Sequence, residues 1–337
     1  MRAFVVFACA LVVGAAPIAA DAWGADGHRI INGAAMQALP ATLPPFVRTP
    51  DAIAEVATLG PEADRLKGAG PSWDADEDPG HFLDLDDDGT IAGVVPLAQL
   101  PASRQAFDTA VRRGHALETR AADEYVTGFL PYSIIDGWQQ IAKDFAIWRV
   151  DAYAETHAAS DAERATFATD RRLREVLTLR DIGYWGHFVA DGSQPLHVSV
   201  HYNGWGTYPN PQNYSQSKRI HAKFETDFVR GRASTALVVA RMAAYAPSQQ
   251  PIVARVGAYL LATGSNVPAV YRLDGAGALD AATPEAVSFM LDRLAAGATA
   301  MRDMIADAYD AAGTMRVGFP GASVRDVEAG TADFRAL

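Results

Sequence analysis

Apolar residues recur at helical spacing along most of the chain. The pattern is clearest at 133–155, just after Pro131, a residue that often begins a helix. Its apolar positions, three or four residues apart, are Ile134, Ile135, Trp138, Ile141, Phe145 and Trp148. The same spacing predicts helices at 30–39, about 104–126, 173–190, about 220–242 and 284–311. No β-type alternation of useful length and no repeat is visible. We therefore expect an all-α fold, with 23–337 as a single domain.

Two long segments, 60–101 and 201–219, lack this periodicity, and loops of such length in a domain are usually functional or disordered. The first contains DLDDDG, which places Asp84, Asp86, Asp88 and Gly89 at positions 1, 3, 5 and 6 of a calcium-binding hand loop. Position 12 is Val95 instead of Glu, and the flanking helices are not predicted. A true hand is therefore disfavoured, while a partial calcium site at 84–89 stays open.

The N-terminal 22 residues differ from the remainder of the chain. A basic start and a long apolar stretch lead to the small-residue triplet Ala20-Asp21-Ala22, as in a secretory signal peptide cleaved before Trp23. An uncleaved membrane anchor is the less favoured alternative. The single cysteine, Cys9, lies within this segment, so the mature chain would have no disulfide and no thiolate ligand. We expect a periplasmic or secreted protein.

Composition and net charge limit the classes of function that the chain can have. The chain of 337 residues is 49% hydrophobic and 20% charged, which is ordinary for a globular protein. Its formal net charge of −11 argues against a broad surface for non-specific nucleic-acid binding. It does not exclude an anionic substrate at a site whose local charge is set by metal ions.

Several histidines are accompanied by carboxylates at spacings that suit a metal site. His187 and Asp191 are four residues apart, as are His221 and Glu225, so each pair shares one helix face. His197 follows Asp191 after a Gln-Pro that interrupts the helix. Without thiolates, imidazole and carboxylate are the ligands that Zn²⁺ takes, and a multinuclear site is therefore predicted. We expect His115 and His157, which lack such neighbours, to be solvated.

Four motifs then carry a family resemblance. In order, they are WGADGH from Trp23, HFLD from His81, HFVADGSQPLH from His187 and HAKFE from His221. Together they resemble the superfamily of zinc-dependent single-strand-specific nucleases and bacterial zinc phospholipases C. The resemblance covers about 23–225 and implies an all-α fold with three zinc ions in a cleft.

The resemblance also implies a ligand set and substrate contacts. One zinc ion would be held by Asp64, His81, His187 and Asp191. A second would be held by His197, His221 and Glu225. The third would be held by the α-amino nitrogen and carbonyl oxygen of Trp23, by His28 and by a bridging Asp191. Asp64 is placed by the stretch EADRLK, in which Glu62 competes for the role, and it would also orient the attacking water. Lys67 is expected either to contact phosphate or to be an exposed loop lysine.

The substrate stays open between two classes. In the nucleases, residues like Phe82 and Asp84 form a base pocket, which favours single-stranded nucleic acid; whether 3′-nucleotides are also cleaved stays open. Glu225 is closer to the phospholipases, since the nucleases usually carry Asp there, and the chain has VSVHYNGWG where many nucleases have Asp-Arg-Gly-Gly-Asn. No lipid-binding β-domain is readable after residue 312, so we favour a nuclease, with phospholipid head groups as the alternative. A non-catalytic periplasmic zinc-binding protein is a third hypothesis, and we expect a monomer.

Overall fold

Two long helices, joined by only three residues, form the framework of the computed structural model, which describes residues 23–115 and 127–336. These two, α5 and α6, pack along each other as a helical hairpin. The helices of the described residues are α1 Gly24–Gln37, α2 Pro50–Leu59, α3 Pro71–Glu77, α4 Arg104–His115, α5 Leu130–His157, α6 Asp161–Asp191, α7 Ile220–Ala222, α8 Thr235–Val239, α9 Ile252–Gly264, α10 Val267–Gly275, α11 Pro284–Ala312 and α12 Val324–Glu328. The predicted all-α fold is confirmed.

Strands are few and short among the described residues. Thr90–Ile91 (β1) pairs with Val95–Pro96 (β2), and Arg316–Gly318 (β3) pairs with Gly321–Ser323 (β4), both antiparallel. Single 3₁₀ turns occur at Pro45–Arg48, Glu62–Leu66, Asp78–His81, Leu97–Gln99, Pro195–His197 and Phe334–Ala336. The segment 60–101, predicted to be a loop, therefore contains one helix, three such turns and the β1–β2 hairpin.

The core is organised around α11, where every residue from Met301 to Ala308 is buried. Helices α1, α5 and α6 pack on it, and the buried apolar side chains form one contiguous cluster. The C-terminal third of α6 is equally enclosed, since nearly all its residues from Ile182 to Asp191 are buried. A helix end that carries titratable side chains is thus placed deep inside the molecule.

Close helix packing at this point depends on glycine. A Cβ atom on Gly183 would lie 2.5 Å from the Leu59 Cβ of α2, and one on Gly186 would lie 2.5 Å from Oδ1 of Asn32 on α1. The Asn32 amide donates to the carbonyls of Val56 and Gly183 at 3.1 and 3.0 Å, which ties α1, α2 and α6 together. The glycines of α6 therefore let three helices meet around the residues that precede Asp191.

Some predicted boundaries were wrong. The helix expected at about 220–242 is broken into α7, a π-helical turn at Lys223–Asp227 and α8. Gly231 has a φ of 74° there, which ends helical geometry, and Arg232 bonds the freed carbonyls of Asp227 and Phe228. Helices α1 and α6 begin earlier than predicted, and α2, α9 and α10 were not predicted. The part of the predicted 104–126 helix beyond residue 115 lies outside the described residues.

No described helix combines the length and the apolar composition that a bilayer crossing requires. The predicted signal peptide at 1–22 lies outside the described residues, and its predicted cleavage site adjoins the first of them, Trp23.

Candidate metal centre

The buried end of α6 presents two potential ligands on one face, as their spacing predicted. Nε2 of His187 lies 3.4 Å from Oδ2 of Asp191, and both side chains are fully buried. The other imidazole nitrogen of His187, Nδ1, is 2.8 Å from the carbonyl oxygen of Gly60. That carbonyl orients the ring and leaves Nε2 directed toward the carboxylates, which is the usual outer-shell arrangement of a metal-binding histidine.

Two distant segments bring further donors to this face. His81 Nδ1 lies 3.0 Å from both Asp191 Oδ2 and His187 Nε2. Asp64 Oδ1 lies 3.4 Å from His187 Nε2 and 3.7 Å from His81 Nδ1. In a tetrahedral zinc site with ligand distances of about 2.0–2.1 Å, neighbouring donors are about 3.3 Å apart. The separations that involve His81 or His187 are therefore close to those between the ligands of one tetrahedral ion.

The remaining oxygen of Asp191 faces the N-terminal helix. Oδ1 lies 3.5 Å from Nε2 of His28, and the His28 ring stacks on that of His187 at 3.8 Å between centroids. Trp23 stands at the N-cap of the same helix, fully buried, with its indole nitrogen donating to Ala190 O at 2.9 Å. The structure thus places Trp23 and His28 beside the α6 end, and Asp191 between two groups of donors.

A second cluster combines the turn after α6 with α7 and the π-helical turn. Glu225 Oε2 lies 2.8 Å from His221 Nε2 and 3.5 Å from His197 Nε2. Backbone carbonyls orient both rings, because His197 Nδ1 is 2.7 Å from His81 O and His221 Nδ1 is 3.0 Å from Tyr202 O. The Gln194 amide donates to Glu225 at 3.2 Å. The three donor positions of this site, Nε2 of His197, Nε2 of His221 and Oε2 of Glu225, are thereby held in place.

The shifted pKa values of the histidines and carboxylates in this region show that its buried carboxylates stabilise positive charge. Burial alone would lower the pKa of His187, but Asp191 and Asp64 outweigh it and raise that pKa to about 10. Burial would likewise raise the pKa of Asp64, but His187 and Lys67 hold it well below its usual range. Burial lowers the pKa of His28 to about 3 and that of His81 to about 4, so both rings are neutral and able to bind a metal ion.

The polar atoms of these clusters fit metal binding by a second criterion. Buried polar atoms in folded proteins nearly always have hydrogen-bond partners. Several buried atoms here have none, namely both nitrogens of His28, Asp191 Oδ1, His197 Nε2, His221 Nε2 and Glu225 Oε1. Three groups of donor atoms satisfy the distance requirement for a metal ion: His28, His187 and Asp191; Asp64, His81 and His187; His197, His221 and Glu225. The chain therefore contains three groups of side chains whose donor atoms are close enough together to bind metal ions.

A cavity of about 360 Å³ opens above the donors. Its lining consists of Lys67, Gly68, Asp78, His81, Phe82, Asp84, Leu196, His197, Tyr202 and His221. The predicted substrate residues Phe82, Asp84 and Lys67 therefore share one space with ligands of two clusters. Lys67 is largely buried, and its Nζ lies 2.5 Å from Asp64 Oδ1, so the description as an exposed loop lysine is wrong. Glu62, the competitor of Asp64, instead pairs with Arg65 at 2.5 Å on the surface.

The aspartates after Phe82 mainly stabilise the β1–β2 hairpin. Asp86 accepts from the Gly93 amide at 3.1 Å, and Asp88 accepts from the Thr90 amide and hydroxyl at 2.9 and 2.7 Å. Asp87 lies 3.0 Å from Nε2 of the buried His201, whose ring stacks on Trp205. Within 84–89 no three carboxylates approach closely enough to form a described metal group. The calcium hypothesis for this loop gains no support from the geometry.

Sequence reasoning missed three residues of this region. Asp78 and Tyr202 line the cavity, and Gln194 positions Glu225. Asp78 and Tyr202 belong to the two segments without helical periodicity, whose length alone indicated a function. His157, expected to be solvated, is exposed and bonds within its own helix.

Comparisons with models of protein families, with curated proteins and with solved structures gave no match to this chain. The likeness to zinc-dependent nucleases and phospholipases C therefore depends on the four motifs and on the geometry that their side chains adopt.

Proposed function

We propose that the chain is a secreted or periplasmic, monomeric phosphodiesterase that binds three zinc ions and cuts single-stranded nucleic acid. One observation carries the proposal. Donor atoms of His81 and His187 lie 3.0–3.7 Å from those of Asp64 and Asp191, and His81 lines a cavity that also contains Lys67. Metal ligands and a buried ammonium group at the floor of one cavity suit an anionic ester of phosphate.

The ligand sets proposed for the three ions follow from the clusters. Asp64, His81, His187 and Asp191 would hold the first, and His197, His221 and Glu225 the second. Trp23, His28 and Asp191 would hold the third. When bound, zinc would supply positive charge to the phosphodiester and make a water molecule that it binds far more acidic than bulk water.

The remaining steps are performed by this chain's side chains. The Lys67 ammonium group, held at the cavity wall by Asp64, would pair with a non-bridging phosphate oxygen. The second oxygen of Asp64 has no hydrogen-bond partner and would accept a hydrogen bond from the attacking water, which orients that water toward phosphorus. Lys67 and Asp64 thus place phosphate and water side by side.

Substrate selection would occur at two further residues of the cavity lining. Phe82 offers a ring on which a base can stack, and Asp84 offers an acceptor for base N–H groups. Single-stranded substrates follow from this arrangement, because a base inside a duplex cannot turn into a cavity of this size.

The test uses the zinc-loaded protein with single-stranded DNA, RNA and phosphatidylcholine in separate reactions. We expect cleavage of nucleic acid, and a Phe82→Ala variant should lose about tenfold to a hundredfold in kcat/KM, since stacking on one base contributes about 1–3 kcal/mol. Phe319→Ala is the matched control, because Phe319 is fully exposed on the β3–β4 hairpin. Release of phosphocholine without nucleolysis would establish a phospholipase C instead, and zinc binding without any turnover would establish a zinc-binding protein.

A further inference from the structure

Asp78 is a cavity carboxylate to which neither the motifs nor the metal clusters give a role. It opens the 3₁₀ turn that ends at His81, and it is partly buried. Its Oδ1 atom is inaccessible to solvent and has no hydrogen-bond partner in the structure. Such an atom is unfavourable in a folded protein unless water or a ligand completes its bonding.

The surroundings of Asp78 show which kind of ligand this would be. Burial raises the pKa of Asp78, and Lys67 opposes that rise only in part, while the nearby Asp74 and Asp64 add to it. A negatively charged phosphate would therefore be repelled from this wall, whereas an N–H donor would be attracted to it. The cavity lining thus combines the ammonium group of Lys67 with a carboxylate oxygen of Asp78 that has no donor.

The aromatic side chains of the cavity favour a planar donor. Phe82 and Tyr202 both line it, and Tyr202 remains 54% exposed, so its ring is accessible to a ligand. Any flat heterocycle can stack on such rings. The choice among bases would therefore depend on hydrogen bonds between the carboxylates and the polar groups at the edge of the base. An amino group on the ring of the base matches an acceptor such as Asp78.

We propose that Asp78 is a specificity residue that accepts a hydrogen bond from the exocyclic amino group of the base, so that amino-bearing bases are preferred. This deepens the proposed function and depends on it, because the base would belong to the nucleic-acid substrate. Asp78 would contact the base from the 3₁₀ turn that ends at His81, whereas Asp84 would contact it from the extended segment that follows His81.

The test compares adenosine with purine riboside, which differ only in the 6-amino group. Binding to the zinc-loaded protein is followed by NMR titration, which requires neither phosphate nor turnover. Wild type should bind adenosine about tenfold to a hundredfold more tightly than purine riboside, as expected for a hydrogen bond to a charged group. Asp78→Asn should lose most of this preference, while its affinity for purine riboside stays unchanged.

Two controls separate the outcomes. Asp76→Asn alters an exposed acid of α3 that does not line the cavity, and it should keep the wild-type preference. A preference that survives in Asp78→Asn and disappears in Asp84→Asn would overturn the proposal. A loss of affinity for choline, instead of adenosine, in Asp78→Asn would also overturn it and indicate an ammonium site.

Cleavage of single-stranded DNA is measured in parallel. Absence of cleavage together with a retained adenosine preference would count against the proposed nuclease and leave the role of Asp78 standing. Cleavage with equal affinity for the two nucleosides would count against Asp78 alone.

Discussion

Oδ1 of Asp191 lies 3.5 Å from Nε2 of His28, while Oδ2 of the same carboxylate lies 3.0 Å from Nδ1 of His81 and 3.4 Å from Nε2 of His187. A carboxylate that presents one oxygen to each of two donor groups is suited to bridge two metal ions. His28 faces only one of these groups. The two residues therefore differ in how much of the centre each one supports.

We predict that Asp191→Asn is more damaging than His28→Ala. The amide lacks the negative charge that both proposed ions share, so the Asn variant should lose two zinc ions and nearly all activity. His28→Ala should lose only one zinc ion. Zinc content by elemental analysis and hydrolysis of single-stranded DNA measure both effects, with circular dichroism to verify folding. Equal zinc content and equal residual activity in the two variants would contradict the bridge.

Metal content itself is the second prediction. The mature protein, prepared with excess zinc, should contain close to three zinc ions per chain. Because the ligands come from α1, α6, the segment 62–81 and the π-helical turn, the ions would crosslink the fold, and chelation should lower the melting temperature. At a metal concentration about a thousandfold above the dissociation constant, each site adds about 4 kcal/mol. A content of one ion or none, or a melting temperature that chelators do not change, would reject the trinuclear centre.

The third prediction concerns pH and a carboxyl group far from the metal donors. Burial on α5, with Asp170 nearby, raises the pKa of Asp151 to about 6, while Arg174 and Arg171 oppose the rise. The folded pKa thus exceeds the unfolded value, so this group's contribution to stability is complete below about pH 4 and is lost as pH rises through about 6. Asp151→Asn should unfold with a free energy about 1 kcal/mol above wild type at pH 7, after allowance for solvent screening, and with no gain at pH 4.

Urea unfolding of both proteins, treated alike at each pH, measures this difference. Asp170→Asn offers a graded control, because it removes the like charge and keeps the buried carboxyl group, and it should produce a smaller gain at pH 7. Parallel stability curves for wild type and Asp151→Asn from pH 4 to 7 would show that Asp151 ionises as easily in the folded chain as in the unfolded one.

Local spacing explains which parts of the site were predictable. His187 with Asp191 and His221 with Glu225 are pairs four residues apart, and the structure places the members of each pair 3.4 and 2.8 Å from one another. Helical periodicity likewise sufficed for α5 and α11, whose apolar faces are long. The helix expected at 220–242 failed because Gly231 and the π-helical turn override a continuous apolar pattern.

Contacts between segments that are distant in the sequence could not be predicted from residue spacing. His81 and His187 are 106 residues apart, yet their ring nitrogens lie 3.0 Å from each other, and only tertiary packing places them so. Asp78 and Tyr202 could not be predicted either. They belong to segments without helical periodicity, for which the sequence does not indicate which residues share a buried face. The resemblance grouped Asp64 with His81 and His187, and the structure brings these three side chains together, while Gln194 was recognisable only once its contact with Glu225 was known.

The last prediction concerns the N-terminus that signal cleavage would create. Trp23 is buried beside α6, and its indole bonds to Ala190 O and Ser193 Oγ at 2.9 and 3.0 Å. The indole therefore anchors the start of α1, five residues before His28. A free α-amine has a pKa of about 7.7–8.0 and yields its proton to zinc readily, whereas an amide nitrogen has no available lone pair. The third ion should thus bind only after cleavage before Trp23.

A protein with one extra Met ahead of Trp23 tests this directly. It should keep its helical circular dichroism, because the indole anchor and the core are unchanged, but it should contain two zinc ions and lose most of its activity. The control begins at Trp23 and carries Ser193→Ala, which removes one indole acceptor and leaves the amine free, so it should keep three. If the extended protein bound three zinc ions with full turnover, the Trp23 amine would have no part in the centre.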